Sequence, residues 1–184
     1  MKLEEMREKQ LALDTLIEKR ANLKSNDKQL IKSIIVGLSV ELAEFINETK
    51  VFKHWTVKKM DKLRVLDEAA DVLHLCLSLL NKMKSKGNEV NGVCEEMLKY
   101  YSTKDNKEII NNTYMYCQKH TENIYNEFEK DGKICGNLKI EVSILLIITS
   151  LISILEILGF DETDLEQAYY QKNFLNIKRQ ENNY

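Results

Sequence analysis

Apolar residues recur every three or four positions through most of the chain, whereas strict alternation over the length of a strand is rare. That spacing is typical of helices that turn one face toward a core. It predicts helices at about 2–24, 27–49, 57–86, 104–130, 137–158 and 161–181, with a short seventh at 88–101. Capping residues and glycines fall at the breaks, among them Asp27, Thr56 and Gly159. The pattern therefore predicts an all-α protein.

The composition strengthens this prediction. The chain has 184 residues with six glycines and no proline, although sheets need both residue types in many turns. The length suits a single domain, or a protomer that completes its core by pairing. Residues 82–139 are richer in Lys, Asn and Glu and more weakly patterned. We interpret them as a variable helical insertion in one domain spanning 1–184, and as a candidate surface for a protein partner.

Charge and cysteine content narrow the function classes. The chain has 27 Lys and Arg against 29 Asp and Glu, a formal net charge of -2, whereas a protein that mainly covers nucleic-acid phosphates needs a basic excess. The four cysteines form no CxxC pair, which favours reduced thiols and a cytoplasmic protein. The first residues are charged where a signal peptide is apolar, so no export is predicted.

One segment, 142–158, is apolar nearly all round. A membrane-spanning helix needs about 20 apolar residues, but Glu141 and Glu156 enclose only 14 and the run contains three serines and one threonine. We therefore interpret it as a helix buried on every side, as at a subunit interface, and not as a membrane span.

Two acidic pairs interrupt apolar stripes. Glu41 and Glu44 are three residues apart, as are Glu68 and Asp71, so each pair lies on one helical face. Glu41 and Glu68 occupy positions that the stripes otherwise give to the core. Inward carboxylates cost several kcal/mol unless they are compensated, and Mg²⁺ accepts hard oxygen ligands of this kind. The alternative is that these acids border the stripes and reach water beside lysines.

Several motifs resemble the dimeric dUTPases, a family of all-α nucleoside triphosphate pyrophosphatases found in phages, some bacteria and trypanosomatids. Glu41-x-x-Glu44 and Glu68-x-x-Asp71 resemble its ExxE…ExxD signature. The C-terminal AYYQKNFLNIKRQENNY, at 168–184, resembles its Lys-Asn-x-x-Asn-x-x-Arg-Gln segment. VFKHW and Gln10-x-x-x-Asp14 resemble two further segments, but Asp14 stands where some members have Asn.

The resemblance implies a homodimer of six to seven helices per chain, with a four-helix core that carries the acidic site. It also implies two or three Mg²⁺ per site, with Mn²⁺ as a substitute, and dUTP or dUDP as substrate. By position it assigns metal ligation to Glu41, Glu44, Glu68 and Asp71, and makes Glu48 either an extra ligand or an outer support of the ligands. It assigns substrate binding to the following residues: Gln10, Asp14, Lys53, Trp55, Lys172, Asn173, Asn176 and Arg179.

Each assignment has a physical reading. Lys172, Asn176 and Arg179 share one helical face, where Lys and Arg can neutralise phosphates. Trp55 offers a face for a base to stack on, or it merely covers a helix corner. Gln10 has the donor and acceptor that complement uracil. His74 is more in keeping with a core or supporting histidine than with a metal ligand.

The predicted reaction is attack of a metal-activated water on the α-phosphorus of dUTP, which gives dUMP and pyrophosphate. Glu44 or Glu41 would orient the water and take its proton, and we favour Glu44. A broader pyrophosphatase that acts on dCTP or damaged nucleotides is the first alternative. A helical interaction protein without catalysis is the second.

Overall fold

The computed structural model describes residues 1–84 and 105–182. This part of the chain contains helices and no strand. The helices are α1 (Leu3–Arg20), α2 (Lys28–Thr49), α3 (Lys62–Lys82), α4 (Asn106–Asp131), α5 (Leu138–Ile157) and α6 (Glu162–Glu181). The all-α prediction is confirmed. The short helix predicted at 88–101 lies outside the described residues.

Polar caps decide where the helices begin. Asp27 accepts hydrogen bonds from two backbone amides at the start of α2, as its position predicts. The expectation that Thr56 begins the third helix is wrong, because α3 starts at Lys62 and Asp61 accepts from the amides of its first turn. A helix starting after Thr56 would place Lys58 and Lys59 near the positive end of its dipole, which is unfavourable.

Helix α3 lies at the centre of the molecule. It packs against α1, α2, α5 and α6, while α4 packs against α2 and α5. Eleven of its side chains are buried. A single apolar stripe would bury fewer, so α3 contacts neighbouring helices on several sides. The acidic residues of α2 and α3 are thereby held beside α1 and α6, which supplies the basic C-terminal residues.

Helix α5 is buried by its own chain. Nine consecutive residues, Ile147–Leu155, are buried, and α3 and α4 pack against the helix. It is long and apolar enough to cross a membrane, yet 67% of its most apolar window is inside the fold. The prediction of a buried helix is confirmed for most of its length but not on every side, because Val142 is 46% exposed. Dimerisation, in contrast, stays a prediction.

Helix α4 contributes to the same core, although it lies within the segment interpreted as an insertion. Seven of its residues are buried, including Ile110, Cys117 and Phe128. The interpretation of 82–139 as variable stays a prediction, but residues 106–131 form a packed part of the bundle.

Gly37 brings α2 close to α3 one turn before the first acidic pair. A Cβ at this position would lie 3.2 Å from Cδ1 of Leu75, tighter than ordinary contact between carbon atoms. The absence of a side chain therefore allows the two acidic helices to approach each other where Glu41 faces α3.

Candidate active site

Three carboxylates converge where α2 faces α3. Each of Glu41, Glu44 and Glu68 offers one oxygen, and these oxygens all lie within 4.8 Å of one another. The i, i+3 spacing puts the first two on one face of α2, and α3 supplies the third from the opposite side. Oxygen atoms of this number and kind fit a hard divalent cation such as Mg²⁺.

The convergence raises the pKa of two of these carboxyl groups, Glu41 and Glu68. Burial and the charges of Asp71, Glu44 and Glu68 raise the pKa of Glu41 to about 7, against the opposing effect of Lys172. Burial and the neighbouring carboxylates also raise the pKa of Glu68. Mutual repulsion of this kind is relieved when a cation binds between the groups. The electrostatics therefore agree with the oxygen geometry.

The fourth predicted ligand, Asp71, has a cationic partner from α6. Nζ of Lys172 lies 2.5 Å from Oδ2 of Asp71 and 2.9 Å from Oδ2 of Asp67. Burial still raises the pKa of Asp71 overall, although Lys172 acts in the opposite direction. Lys172 is thus held at the edge of the acidic cluster, within reach of any anion that binds there. The part played by Asp67 was not predicted from the sequence.

Glu48, the predicted outer support, is paired with cations instead of other acids. It is buried, and Oε2 lies 3.2 Å from Nζ of Lys50 and 3.4 Å from Nε of Arg64. These contacts connect the end of α2 to the start of α3. Glu48 therefore helps to fix the two helices that carry the carboxylates.

A cavity of about 220 Å³ opens beside the acidic cluster, between α1, α2, α3 and α6. Six of the predicted site residues line it: Gln10, Asp14, Glu41, Asp71, His74 and Asn176. Residues from four helices and from both ends of the sequence thus meet in one cleft. A larger hollow between α4 and α5 shares no residue with this site.

A hydrogen-bond network organises the side of the cavity that α1 lines. Nε2 of Gln10 donates to Oδ1 of Asp14 over 2.8 Å, and Oε1 of Gln10 lies 2.5 Å from Nδ1 of His74. The imidazole stacks on Tyr169, whose hydroxyl donates to the carbonyl of Met6. Burial, the largest cause, and the charge of Lys172 lower the pKa of His74 to about 3, so its ring is neutral.

The network uses both ends of the Gln10 amide inside the protein. Direct base reading by Gln10 therefore stays a prediction, because its oxygen and one N–H already have partners. Two buried atoms of its neighbours have none among the described residues: Oδ2 of Asp14 and Nε2 of His74. Buried polar atoms without partners are rare and call for an explanation.

Besides Lys172, four predicted substrate-binding residues lie outside the lining of this cavity. Trp55 is 68% exposed, in the segment between α2 and α3, with its ring edge-on to Phe52 and His54. Lys53 in the same segment donates to Asn47. Arg179 donates to Asn176 from the exposed side of α6. Asn173 is buried one turn after Tyr169, so it supports the network from behind.

The comparisons with known proteins decide the family. A family model described as dUTPase matches residues 2–184. The chain belongs to the dUTPase family. Its activity is therefore dUTP diphosphatase activity, the hydrolysis of dUTP, and dUTPases generally use a divalent metal. A search of curated proteins and a search of solved structures returned no match.

Proposed function

We propose that the chain cleaves dUTP to dUMP and pyrophosphate with Mg²⁺ held by Glu41, Glu44, Glu68 and Asp71. The observation that carries the proposal is the convergence of the first three carboxylates beside a cleft of nucleotide-base size. A Mg²⁺ ion bound there would screen the phosphate charge and lower the pKa of a water molecule. Mn²⁺ prefers similar ligands and is expected to substitute.

We assign proton transfer to Glu44. It is the most exposed of the three converging carboxylates, so a proton that it takes from the attacking water can pass on to solvent. The oxygen of that water bonds to the α-phosphorus, and the bond from this phosphorus to the bridging oxygen breaks. Pyrophosphate leaves with the electron pair, and dUMP keeps the new oxygen.

Lys172 and Arg179 supply the positive charge for the phosphates. Lys172 already lies against Asp71 at the edge of the acidic cluster, and Arg179 lies two turns further along the same helix. Lys and Arg at the rim of an acidic metal site can donate charge-assisted hydrogen bonds to phosphate oxygens, which favours binding of a polyphosphate. dUDP contains the same α-phosphate and leaving oxygen, and we include it as a second candidate substrate.

A nucleotide panel with isotope labelling tests this proposal. dUTP, dUDP, dCTP and dTTP are incubated with Mg²⁺, Mn²⁺ or EDTA in ¹⁸O-water. We expect hydrolysis of dUTP with either metal, none with EDTA, and the label in dUMP. Label in pyrophosphate would place the attack on the β-phosphorus and overturn the mechanism. Equal turnover of dCTP would show a broader pyrophosphatase.

The Glu44→Gln variant tests the assigned base. Removal of a general base lowers turnover by about 100- to 10,000-fold, and the exposed position predicts unchanged folding. Glu156→Gln, a substitution at another exposed glutamate, on α5, is the matched control and should keep full activity. Full turnover by folded Glu44→Gln would exclude this residue as the base.

Two copies of the chain are expected to associate as a homodimer, because the sequence resembles dimeric dUTPases. Most of the apolar helix α5 is covered within the protomer, but Leu138 and Val142 near its start are exposed. Light scattering coupled to size exclusion would give the mass of the particle directly. A mass near 21.5 kDa, that of one chain, would contradict the dimer.

A further inference from the structure

Lys172 bridges two aspartates of α3, and one of them is a predicted metal ligand. Asp67 and Asp71 are four residues apart, so their side chains lie on one face of the helix. Nζ of Lys172 lies 2.9 Å from Oδ2 of Asp67 and 2.5 Å from Oδ2 of Asp71. The ammonium group is therefore shared between a carboxylate of the proposed metal site and a carboxylate outside it.

The two halves of this bridge differ in their access to water. The side chain of Lys172 is 12% exposed and that of Asp71 is 21% exposed, whereas that of Asp67 is 55% exposed. An ammonium group that is largely withdrawn from water needs a negative partner. Asp71 provides this partner on the inner side of Lys172, and Asp67 provides it on the solvent side.

The converging carboxylates do not include the one that Lys172 holds on its inner side. The oxygens that lie within 4.8 Å of one another belong to Glu41, Glu44 and Glu68, whereas Asp71 contacts the ammonium of Lys172. An ammonium bound to a carboxylate oxygen neutralises its charge and uses a lone pair that a metal ion would otherwise take. Lys172 and Mg²⁺ therefore compete for the charge of Asp71.

We propose that Asp67 is a positioning residue for Lys172: without metal, Lys172 occupies the place of the ion at Asp71, and when Mg²⁺ binds Asp71 the ammonium stays on Asp67. Held there, it remains beside the site and can donate a charge-assisted hydrogen bond to a nucleotide phosphate. Without Asp67, binding of the metal would leave the ammonium with neither aspartate. The inference deepens the proposed function and rests on it, because it takes Asp71 as a metal ligand.

Lys172 consequently acts in opposite directions on the metal and on the nucleotide. Before the nucleotide binds, Lys172 competes with Mg²⁺ for Asp71 and weakens binding of the ion. Once a phosphate accepts the hydrogen bond of Lys172, the competitor has left Asp71 and stabilises the complex instead. Binding of the nucleotide and of the metal therefore strengthen each other, by the reciprocity of linked equilibria.

Calorimetric titration with Mg²⁺ in the absence of nucleotide tests the competition. Lys172→Met should bind Mg²⁺ about tenfold more tightly than the wild type, because no charge-assisted hydrogen bond has to be broken at Asp71. Asp67→Asn should bind Mg²⁺ more weakly than the wild type, because Lys172 then has no second carboxylate to hold it. Added to Lys172→Met, Asp67→Asn should change Mg²⁺ binding much less, because the residue that it positions is gone.

A general effect of charge gives a different result in this double-mutant cycle. It predicts that Asp67→Asn weakens Mg²⁺ binding by the same factor with and without Lys172, and this outcome would overturn the inference. Two control variants remove single charges elsewhere. Lys178→Met changes an exposed lysine on α6, and Asp105→Asn changes an exposed aspartate at the start of α4. Both should bind Mg²⁺ as the wild type does.

A titration with nucleotide tests the change of sign. The probe is α,β-imido-dUTP, in which an N–H replaces the bridging oxygen that leaves, and it is added at saturating Mg²⁺. Lys172→Met should bind this probe about tenfold more weakly than the wild type, although it binds Mg²⁺ alone more tightly. Loss of folding would weaken both kinds of binding, so circular dichroism is recorded for each variant. Weaker binding of Mg²⁺ alone by folded Lys172→Met would overturn the inference.

A wild-type measurement covers the case in which a variant does not fold. The side-chain ammonium resonance of Lys172 is followed by ¹H–¹⁵N NMR while Mg²⁺ is added without nucleotide. We expect the resonance to shift as Mg²⁺ saturates the protein and to stay visible, because Asp67 retains the ammonium. An unchanged resonance, or its loss through exchange with water, would overturn the inference. Absence of both Mg²⁺ binding and dUTP hydrolysis in the wild type would instead overturn the proposed function, so the two failures are distinguishable.

Discussion

The two ends of the cleft are built in opposite ways. At the acidic end, Glu41, Glu44 and Glu68 face one another and their charges repel. At the other end, the side chains of Gln10 and His74 bind each other inside the protein. The first arrangement costs stability until a cation arrives, whereas the second is formed before any ligand binds. The comparison separates the proposed metal site, the acidic end, from a preformed hydrogen-bond network, the network end.

The largest effect is expected when the acidic end loses its charge. In the double variant Glu41→Gln and Glu68→Gln, two of the three converging oxygens become amide atoms that bind Mg²⁺ poorly. We expect turnover of dUTP to fall by at least about 1,000-fold. In EDTA the variant should be more stable than the wild type, because the repulsion among the three converging carboxylates is reduced. Kinetics and thermal unfolding with and without Mg²⁺ measure both.

A matched double variant keeps this test specific. Glu4 and Glu8 are exposed acids on α1, and their conversion to Gln removes the same formal charge. Turnover and the stabilisation by Mg²⁺ should remain as in the wild type. If the site variant were stabilised by Mg²⁺ as strongly as the wild type, these carboxylates would not hold the ion.

His74 in the network and Glu41 in the acidic cluster change the free energy of unfolding with pH in opposite directions. The folded protein keeps His74 neutral, with its pKa lowered to about 3, whereas an unfolded His titrates near 6.5. Below pH 6.5 the unfolded state therefore binds more protons, and stability falls as pH decreases toward 3. At pH 5 the expected loss is about 2 kcal/mol. Glu41 acts oppositely, since its raised pKa favours the folded state as pH falls from 7.

Substitution isolates the contribution of His74. His74→Asn keeps a donor near the position of Nδ1 but does not titrate, so the gap in unfolding free energy between it and the wild type should shrink on acidification. Both proteins contain Glu41, so its contribution to the pH dependence cancels when the two unfolding free energies are subtracted. His54→Asn, at an exposed histidine, should follow the wild type. A gap that stayed constant from pH 7 to 5 would show that His74 is not kept neutral by the fold.

The sequence carries more information about the acidic end than about the network end. Glu41 and Glu68 can be found because each occupies a core position in a regular apolar stripe, and local periodicity determines which face they share. The pairing of Lys172 with Asp71 joins residues a hundred positions apart. It depends on the register between α3 and α6, which no local pattern contains.

The lack of a local pattern also explains why the surroundings of several other residues could not be predicted. Trp55 and Lys53 lie between helices, where the chain has no periodicity to orient a side chain. Thr56 and Asp61 are both good capping residues, and only the lysines between them indicate which one begins the helix. The amide of Gln10 has the donor and acceptor that uracil needs. The sequence does not reveal that this amide already forms hydrogen bonds with His74 and Asp14.

The smallest predicted effect distinguishes two adjacent tyrosines behind the network end. The hydroxyl of Tyr169 donates to the carbonyl of Met6 over 2.7 Å and connects α6 to α1, whereas that of Tyr170 has no partner among the described residues. Tyr169→Phe should lower the free energy of unfolding by about 1 kcal/mol, or about 2–4 °C in Tm for a domain of this size. Tyr170→Phe should leave it unchanged or raise it slightly, because a buried hydroxyl without a partner costs free energy. Equal losses in the two variants, measured by thermal unfolding in EDTA, would mean that the network beside Gln10 does not stabilise the cleft before a nucleotide binds, and the contrast between its two ends would fail.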